Sequence, residues 1–327
     1  MLSKEDVRLG FDRPGYALRR LVNIGREYAE DVRDALFSPE QAALVNDREY
    51  MVLGLRRSGN HAVIHWMEQQ VGSKGLHLNN LRRSENPYRY LYEVARRPNK
   101  SGHEHATKEL LRYSWYINEK NLELLRRDAN GSFVLKDYLI HSYEDFLARK
   151  LAHSMSLRRR QRYFGNSTFR RDVLILRDPF NLVASRLHSG RLSVKHKHED
   201  VLSIWLEHAR EYLGEQNCMP CKVVVNFNKW ASDPSYREAL SKELGFVFVD
   251  KGVDSVPTIG GGSSFDRLSY DGRAGDMDIQ GRWRRFEDSD RFIQCFTDPN
   301  VFRYAKQIFG QMEGIERLEK RAETFRS

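Results

Sequence analysis

A cationic turn between an apolar run and a helix-like segment is the part of this sequence best suited to chemistry. The turn, Arg57-Ser58-Gly59-Asn60-His61, follows the apolar run 50–55 and precedes the segment 62–67. Backbone N–H groups at the start of a helix have no partner within it, and the helix dipole adds about half a positive charge there. With Arg56 beside those amides, the turn is suited to bind a phosphate or sulfate.

The turn differs from the usual nucleotide-binding loop. It lacks the G-x-x-x-x-G-K-[ST] pattern, and the hydroxyl that normally holds magnesium is missing. Gly59 lets the backbone approach a bound group closely. We therefore expect residues 56–61, including Ser58, Asn60 and His61, to bind an anion without a metal ion.

A second strand-to-helix unit carries another possible anion site. The apolar run 172–176 leads into Arg177-Asp178-Pro179, and Ser185 follows within the predicted helix. Pro179 suits the first helical turn and Asp178 suits the cap, so Arg177 stands at the carboxyl end of the strand. Ser185 falls a little under two turns into the helix and can face the same cleft. The motif predicts a second phosphate site; a capped helix with surface polar residues is the alternative.

Together the two motifs resemble the sulfotransferases that use 3′-phosphoadenosine 5′-phosphosulfate (PAPS). In that family the first motif cradles the 5′-phosphosulfate and the second holds the 3′-phosphate. The resemblance implies that Arg57 contacts the bridging oxygen, and that Arg177 and Ser185 bind the 3′-phosphate. The late segment Arg273-Ala274-Gly275 resembles the family's R-K-G, so Arg273 and Gly275 are expected at the same phosphate.

The sequence departs from the family pattern in the first loop. Asn60-His61 replaces the usual Thr-Thr or Thr-Ser, and Ala62 stands where members that act on small phenols carry the tryptophan that stacks on adenine. These differences favour bacterial or carbohydrate-type members. We expect adenine to pack at Phe227 instead.

Sulfuryl transfer to a hydroxyl requires positioning, stabilisation of the leaving oxygen and a general base. His65 is a candidate base because it lies one helical turn from His61. His77 is another candidate base. Heparan-type members resemble this chain in the first loop, but they carry their glutamate base after the second strand, which here means near His77. Lys136-Asp137-Tyr138 resembles the family's K-T-H, which implies that Lys136 contacts the sulfuryl group and makes Asp137 a further candidate. A packed, hydrogen-bonded histidine is the alternative for each histidine.

The periodicity predicts an α/β fold. Short aliphatic runs indicate strands at 50–55, 76–79, 132–136, 172–176 and 222–227, and helices are predicted at 60–71, 106–127, 141–152, 179–188, 199–215, 234–244 and 299–322. We expect a P-loop-like three-layer fold, with a central parallel sheet, helices on both faces and the ligand at the carboxyl ends of the strands. Residues 1–327 are expected to form a single sulfotransferase domain, in which a polar, glycine-rich loop occupies 251–285.

An N-terminal helical extension is predicted at about 1–48. It has an apolar side made of Ala17, Leu21, Ile24 and Tyr28, and we expect the segment to pack on the main domain. Arginines make a membrane-surface helix the alternative, although acidic residues further along argue against it.

Composition narrows the partners only partly. A net charge of +9 and a pI of about 9.4 favour an anionic partner. Three cysteines cannot all pair, and Cys218 and Cys221 lack the second ligand pair of a zinc site. No stretch approaches the ~20 apolar residues of a membrane span. We expect a cytoplasmic protein without integral membrane contact, while peripheral contact stays open.

The sequence therefore predicts an enzyme that transfers a sulfuryl group from PAPS to an acceptor hydroxyl of a glycan or glycolipid, by in-line displacement, with no metal and no nucleic-acid partner. A P-loop nucleotide kinase-type phosphotransferase is one alternative. A basic RNA-binding or scaffold protein without catalysis is the other.

Overall fold

Five parallel strands form the central sheet of the computed structural model, which describes residues 14–36, 43–71, 74–81, 85–95, 119–190, 192–194, 199–258 and 262–325. The strands are β1 Leu44–Gly54, β2 Gly75–Leu78, β3 Lys136–Glu144, β4 Asn166–Leu176 and β5 Lys222–Asn226. Their order across the sheet is β2-β3-β1-β4-β5, and every neighbouring pair is parallel. The predicted parallel α/β sheet is confirmed.

Helices surround this sheet and connect its strands. They are α1 Pro14–Leu36, α2 Asn60–Gln70, α3 Pro87–Ala95, α4 Glu119–Ala129, α5 Ala148–Ser154, α6 Leu157–Phe164, α7 Pro179–His188, α8 Val201–Tyr212, α9 Phe227–Ser232, α10 Pro234–Glu243, α11 Asp290–Ile293, α12 Pro299–Phe309 and α13 Ile315–Glu323. Short 3₁₀ turns at Ala274–Asp276, Arg282–Phe286 and Gln294–Phe296 complete the order.

Alternate residues of β1 show why the sheet is covered on both faces. Met51 and Leu53 pack into one buried cluster with Tyr88 of α3, whereas Val52 packs into another with Trp66 of α2. Successive side chains of a strand point to opposite faces, so an apolar central strand requires helices on each side. The predicted three layers follow from this pattern.

The register of β3 corrects the prediction of a strand at 132–136. The strand begins at Lys136 and continues to Glu144, so the helix predicted at 141–152 starts only at Ala148. Before the strand, Leu135 is exposed and the backbone N–H of Val134 donates to the Asp128 carboxylate. The apolar residues 133–135 therefore belong to a loop, whereas the more polar run after them is the buried strand.

Two predicted helices also need correction. The helix predicted at 299–322 is two helices, α12 and α13, because the chain turns at Gly310 and Gly314 with positive φ angles of 77° and 84°. Of the helix predicted at 106–127, residues 106–118 lie outside the described residues, and α4 accounts for the rest. The predicted loop at 251–285 is irregular apart from the 3₁₀ turns.

Helix α1 contacts the domain through its acidic side rather than through its apolar side. On the predicted apolar side, Leu21 and Tyr28 are 52% and 73% exposed, while Glu27 on the acidic side is buried. Acidic residues of α1 form ion pairs with the domain, so the predicted helical segment packs there through its acidic side. Strand β1 begins at Leu44, within the segment predicted as extension. None of the helices in the described ranges has the length and apolar character needed to cross a membrane.

Candidate active site

A cleft of about 700 Å³ opens at the carboxyl edge of the sheet. Its walls come from the turn after β1, the ends of β2 and β3, helix α7, and the loop before Arg282. Of the residues predicted to act at the site, it is lined by Arg56, Arg57, Gly59, Asn60, His61, Arg177 and Ser185. Two strand-to-helix units distant in sequence thus contribute to the same cavity.

The turn after β1 is shaped for close backbone approach. Arg57 and Gly59 adopt positive φ angles of 74° and 86°, and the Ser58 N–H donates to the Leu55 carbonyl at 3.0 Å. A Cβ on Gly59 would lie 2.0 Å from the ring of Phe227, so only glycine fits there. The Ser58 hydroxyl is fully buried and has no hydrogen-bond partner among the described residues. The turn therefore points the first N–H groups of α2 toward the cleft.

Asn60 fastens this turn to the end of β1. Its side-chain Nδ2 donates to the Leu55 carbonyl at 3.1 Å. A Cβ on Gly54 would lie 2.2 Å from Asn60 Oδ1, so the last residue of β1 must be small. Asn60, which departs from the family's threonine, thus holds the first turn of α2 in place.

Arg177 lies almost entirely below the surface of the cleft. It is 4% exposed, and its guanidinium donates to the Arg57 carbonyl at 3.3 Å and the Ile279 carbonyl at 2.5 Å. The guanidinium also lies 5.3 Å from the centre of the Phe227 ring. Burial lowers the pKa of Arg177 to about 10, so the side chain remains a cation at neutral pH. Ser185 is buried beside it, with its hydroxyl 2.5 Å from that of Ser264.

Arg282 is a second buried cation of the cleft, and the sequence analysis did not identify it. Its guanidinium pairs with Asp266 at 2.6 Å and lies 5.1 Å from the centre of the Phe265 ring. Burial lowers the pKa of Arg282, and the Asp266 carboxylate opposes that effect. The sequence signal was the basic segment Arg282–Phe286 at the end of the glycine-rich loop.

The two residues of the late segment that were predicted to bind the 3′-phosphate, Arg273 and Gly275, lie in different surroundings, and neither lines the cleft. Arg273 is exposed, rests 5.1 Å from the centre of the Tyr270 ring and does not line the cleft. Gly275 lines a neighbouring cavity of about 550 Å³. This second cavity shares Phe227, Met277 and Ile279 with the cleft, so the two spaces are adjacent.

Glu144, at the carboxyl end of β3, is the one carboxylate among the described residues that line the cleft. Its Oε2 lies 3.2 Å from Arg56 Nε, and its Oε1 lies 3.5 Å from Asn60 Nδ2. The sequence did not indicate Glu144, because the strand was predicted at 132–136 rather than at 136–144. A strand drawn through 136–144 would have put this carboxylate at the edge where ligands bind.

A chain of four polar side chains runs from the cleft into the sheet. His61 Nε2 lies 3.1 Å from Asn79 Oδ1, the Ser142 hydroxyl donates to the same oxygen at 3.2 Å, and His77 Nε2 lies 3.0 Å from that hydroxyl. Because the amide oxygen only accepts, His77 must donate to Ser142. Burial lowers the pKa of His77 to about 3. His77 is therefore a neutral donor behind the site, which disagrees with its predicted role as a base.

His65 lies on α2 but does not line the cleft. Its Nδ1 is 3.9 Å from Glu68 Oε2. Burial lowers the pKa of His65 and raises that of Glu68 to about 8. Both groups are therefore mostly neutral at neutral pH, and their contact is not an ion pair.

Lys136 and Asp137 lie at the amino edge of the sheet, opposite the cleft. The prediction that Lys136 ends its strand is wrong, because β3 begins there. Its Nζ pairs with Asp128 at 3.2 Å, and both side chains are fully buried. Asp137 accepts the backbone N–H of Lys74 at 3.0 Å. Neither group lies beside the cationic turn, so the geometry favours structural roles for both.

Asp145 and Arg186 join the two halves of the cleft. Arg186 donates to both carboxylate oxygens of Asp145, at 2.8 and 2.9 Å, and the backbone N–H of Arg56 donates to one of them at 2.9 Å. Burial opposes ionisation of Asp145, yet the hydrogen bonds and charge of Arg186 hold its pKa below the usual value. The contact links the end of β3, the cationic turn and α7.

Comparison with known proteins gives structural neighbours only. Neither a known family profile nor a curated protein matches the sequence. The sulfotransferase domain of the Synechococcus PCC 7002 olefin synthase is similar at 14% identity and a TM-score of 0.48, covering 84% of this chain and 98% of that one.

Two further structures are similar over most of their lengths. Mouse sulfotransferase SULT7A1 complexed with PAP is 11% identical with a TM-score of 0.42, over 85% of this chain and 91% of that one. Retinol dehydratase in a complex with retinol and PAP is 12% identical with a TM-score of 0.37, over 81% and 82%.

Proposed function

We propose that this chain transfers a sulfuryl group from PAPS to an acceptor hydroxyl, as an enzyme of the carbohydrate-modifying type. The observation that carries the proposal is a single cleft with cations in two places. Arg56 and Arg57 flank the helix N-terminus, while Arg177 and Ser185 lie on a different strand-to-helix unit. A donor with phosphates at the 3′ and 5′ positions of one ribose requires cations in two places of this kind.

The chemistry of the cleft residues fits such a donor. The N–H groups of residues 59–61 suit the 5′-phosphosulfate, and the buried Ser58 hydroxyl, which has no hydrogen-bond partner among the described residues, lies in the same turn. Arg177, Ser185 and Arg282 suit the 3′-phosphate. The adenine would pack on Phe227 toward the second cavity, where Trp230 and Gly275 form part of the wall.

PAPS supplies the sulfuryl group, which passes to the acceptor oxygen as the bond from sulfur to the bridging oxygen breaks. Arg57, aided by Arg56, would stabilise the negative charge that appears on the leaving phosphate. Glu144 would take the proton of the attacking hydroxyl, since no other carboxylate in the described part of the chain lines the cleft. Cationic side chains supply this stabilisation, so the proposal includes no metal requirement.

A glycan or glycolipid is the proposed acceptor. The cleft that contains the cationic turn is also lined by amide and hydroxyl side chains, among them Asn79, Asn80, Ser255 and Thr258. Amide and hydroxyl groups of this kind suit the hydroxyls of a sugar. Asn79 is oriented for this, because its oxygen accepts from Ser142 and His61, which leaves its NH₂ group as a donor.

A thermal-shift comparison tests the donor. Adenosine 3′,5′-bisphosphate should raise the melting temperature, because a ligand that binds only the folded state stabilises it, and ATP with magnesium should raise it less. A larger shift with ATP and magnesium would favour the phosphotransferase. Stabilisation by a short RNA alone would favour the RNA-binding protein.

A further inference from the structure

Helix α1 presents an apolar stripe to the solvent. Five large apolar side chains form this stripe, and they follow one another at helical spacing. Their exposed fractions are 65% for Leu18, 52% for Leu21, 60% for Val22, 73% for Tyr28 and 40% for Val32. This spacing places them on one side of the helix over a length of about 20 Å. A helix at the surface of a domain normally has the reverse arrangement, with its apolar side turned inward.

Ion pairs hold α1 in this orientation. Arg89 of α3 contacts Glu27 at 2.9 Å and Glu30 at 2.8 Å. Arg162 of α6 contacts Asp31 at 2.6 Å, and the Tyr163 hydroxyl donates to Glu27 at 2.6 Å. Turning the apolar stripe inward would break these part-buried contacts and leave charges unpaired. The acidic side of α1 is therefore committed to the domain.

The solvent-facing side of α1 has a cationic border. Arg26 and Arg33 are both exposed, and their seven-residue spacing places them along one edge of the stripe. Arg26 also pairs with Glu30 at 3.0 Å. Among the side chains of α1 that the structure describes as exposed, none is a carboxylate. Within the described part of α1, the outer surface thus combines apolar groups with the exposed arginines Arg26 and Arg33.

We propose that this outer surface of α1 binds an anionic lipid bilayer. The apolar stripe would enter the boundary between headgroups and acyl chains, and the bordering arginines would face lipid phosphates. Acidic residues argued against this role in the sequence analysis, but the structure turns them away from the outer surface. The net charge of +9 adds attraction to an anionic surface.

A second copy of this chain fits the same surface less well. Two outer faces brought together would place arginines near arginines, and no exposed carboxylate on the described part of α1 would compensate them. A zwitterionic bilayer would satisfy the apolar stripe but not the arginine border. Charge complementarity therefore selects the anionic bilayer as the occupant.

Co-sedimentation of the full chain with vesicles tests the proposal. We expect binding to phosphatidylcholine vesicles that contain phosphatidylglycerol, weak binding to pure phosphatidylcholine, and a decrease with added salt. The double variant Leu21→Asn/Tyr28→Asn should bind at least about tenfold more weakly, because it removes apolar contact with the bilayer. Arg26→Gln/Arg33→Gln should reduce binding to the anionic vesicles specifically.

Val247→Asn is the matched control, because Val247 is 80% exposed but lies outside α1. It should bind vesicles like the unmodified chain, and thermal unfolding should show that all variants fold. Vesicle binding that is absent, or unchanged in Leu21→Asn/Tyr28→Asn, would overturn the proposal. A dimer in sedimentation velocity that this double variant abolishes would also overturn it, in favour of a second copy.

Discussion

Arg56 Nε lies 3.2 Å from Glu144 Oε2, so a carboxylate is held beside a cation in the wall of the cleft, next to the turn after β1. The pair brings together a group suited to take a proton and a group suited to stabilise a leaving oxygen. Because Asn60 Nδ2 approaches the other carboxylate oxygen at 3.5 Å, the orientation of Glu144 is set from two sides. Glu144 is accordingly the side chain whose removal should best separate catalysis from donor binding.

Glu144→Gln should lower kcat by about 10²–10⁴-fold, because an amide cannot accept the hydroxyl proton. The affinity for adenosine 3′,5′-bisphosphate should change little, since the variant keeps the shape of the side chain. Steady-state kinetics and calorimetry measure the two effects. Asp137→Asn makes the same chemical change at the opposite edge of the sheet and should retain kcat. Full activity of Glu144→Gln would show that Glu144 is not the base.

Arg177→Ala should weaken binding of adenosine 3′,5′-bisphosphate far more than binding of adenosine 5′-phosphosulfate. A buried charge-assisted contact to the 3′-phosphate is worth about 2–3 kcal/mol, or roughly 30–150-fold in affinity. Arg273→Ala provides the comparison, because that side chain is exposed and lies outside the cleft. Equal losses for the two ligands would mean that Arg177 does not contact the 3′-phosphate. A larger loss in Arg273→Ala would support the role predicted from the family motif.

Gly59→Ala should damage both folding and donor binding, because its Cβ would lie 2.0 Å from the Phe227 ring. Gly131→Ala is a matched control, since Gly131 has a similar φ of 84° and nothing within 4 Å of its added Cβ. The control should show only the cost of the left-handed backbone, about 1–2 kcal/mol. Denaturant unfolding of the two variants would isolate the steric part. Equal destabilisation would show that Phe227 moves away freely.

Glu68 should make stability depend on pH. Burial raises its folded-state pKa to about 8, so the folded protein binds more protons than the unfolded chain above the ordinary carboxyl pKa. The free energy of unfolding should therefore decrease as the pH rises from about 4.5 to about 8, by an amount on the order of a few kcal/mol. Glu68→Gln should flatten this slope in urea titrations. An unchanged slope would assign the dependence to other groups.

Lys136→Met should affect stability rather than catalysis. The variant leaves Asp128 buried without its cation, which typically costs about 3–5 kcal/mol. The double variant Asp128→Asn/Lys136→Met should recover part of the loss, and both should keep kcat/KM when activity is normalised to folded protein. A selective loss of kcat in the double variant would restore Lys136 as a catalytic residue.

Most of the correct predictions came from patterns of neighbouring residues along the chain. Arg57 and Arg177 each follow an apolar strand and precede a helix, so their strand-to-helix units can be recognised without tertiary information. Glu144 could not be placed in the same way, because the polar residues His141 and Ser142 of β3 are buried by partners distant in sequence. The orientation of α1 was unpredictable for the same reason, since Arg89 and Arg162 set it from other elements.

The two hydrogen bonds from Arg186 to Asp145 affect how a donor would bind, because they hold parts of the cleft in place before binding. This contact ties the turn after β1 to α7 through buried, charge-assisted hydrogen bonds. The ordering of both cleft-lining segments therefore takes place during folding rather than on ligand encounter. Such pre-organisation reduces the entropy lost on association, so association should follow simple second-order kinetics without a slow isomerisation.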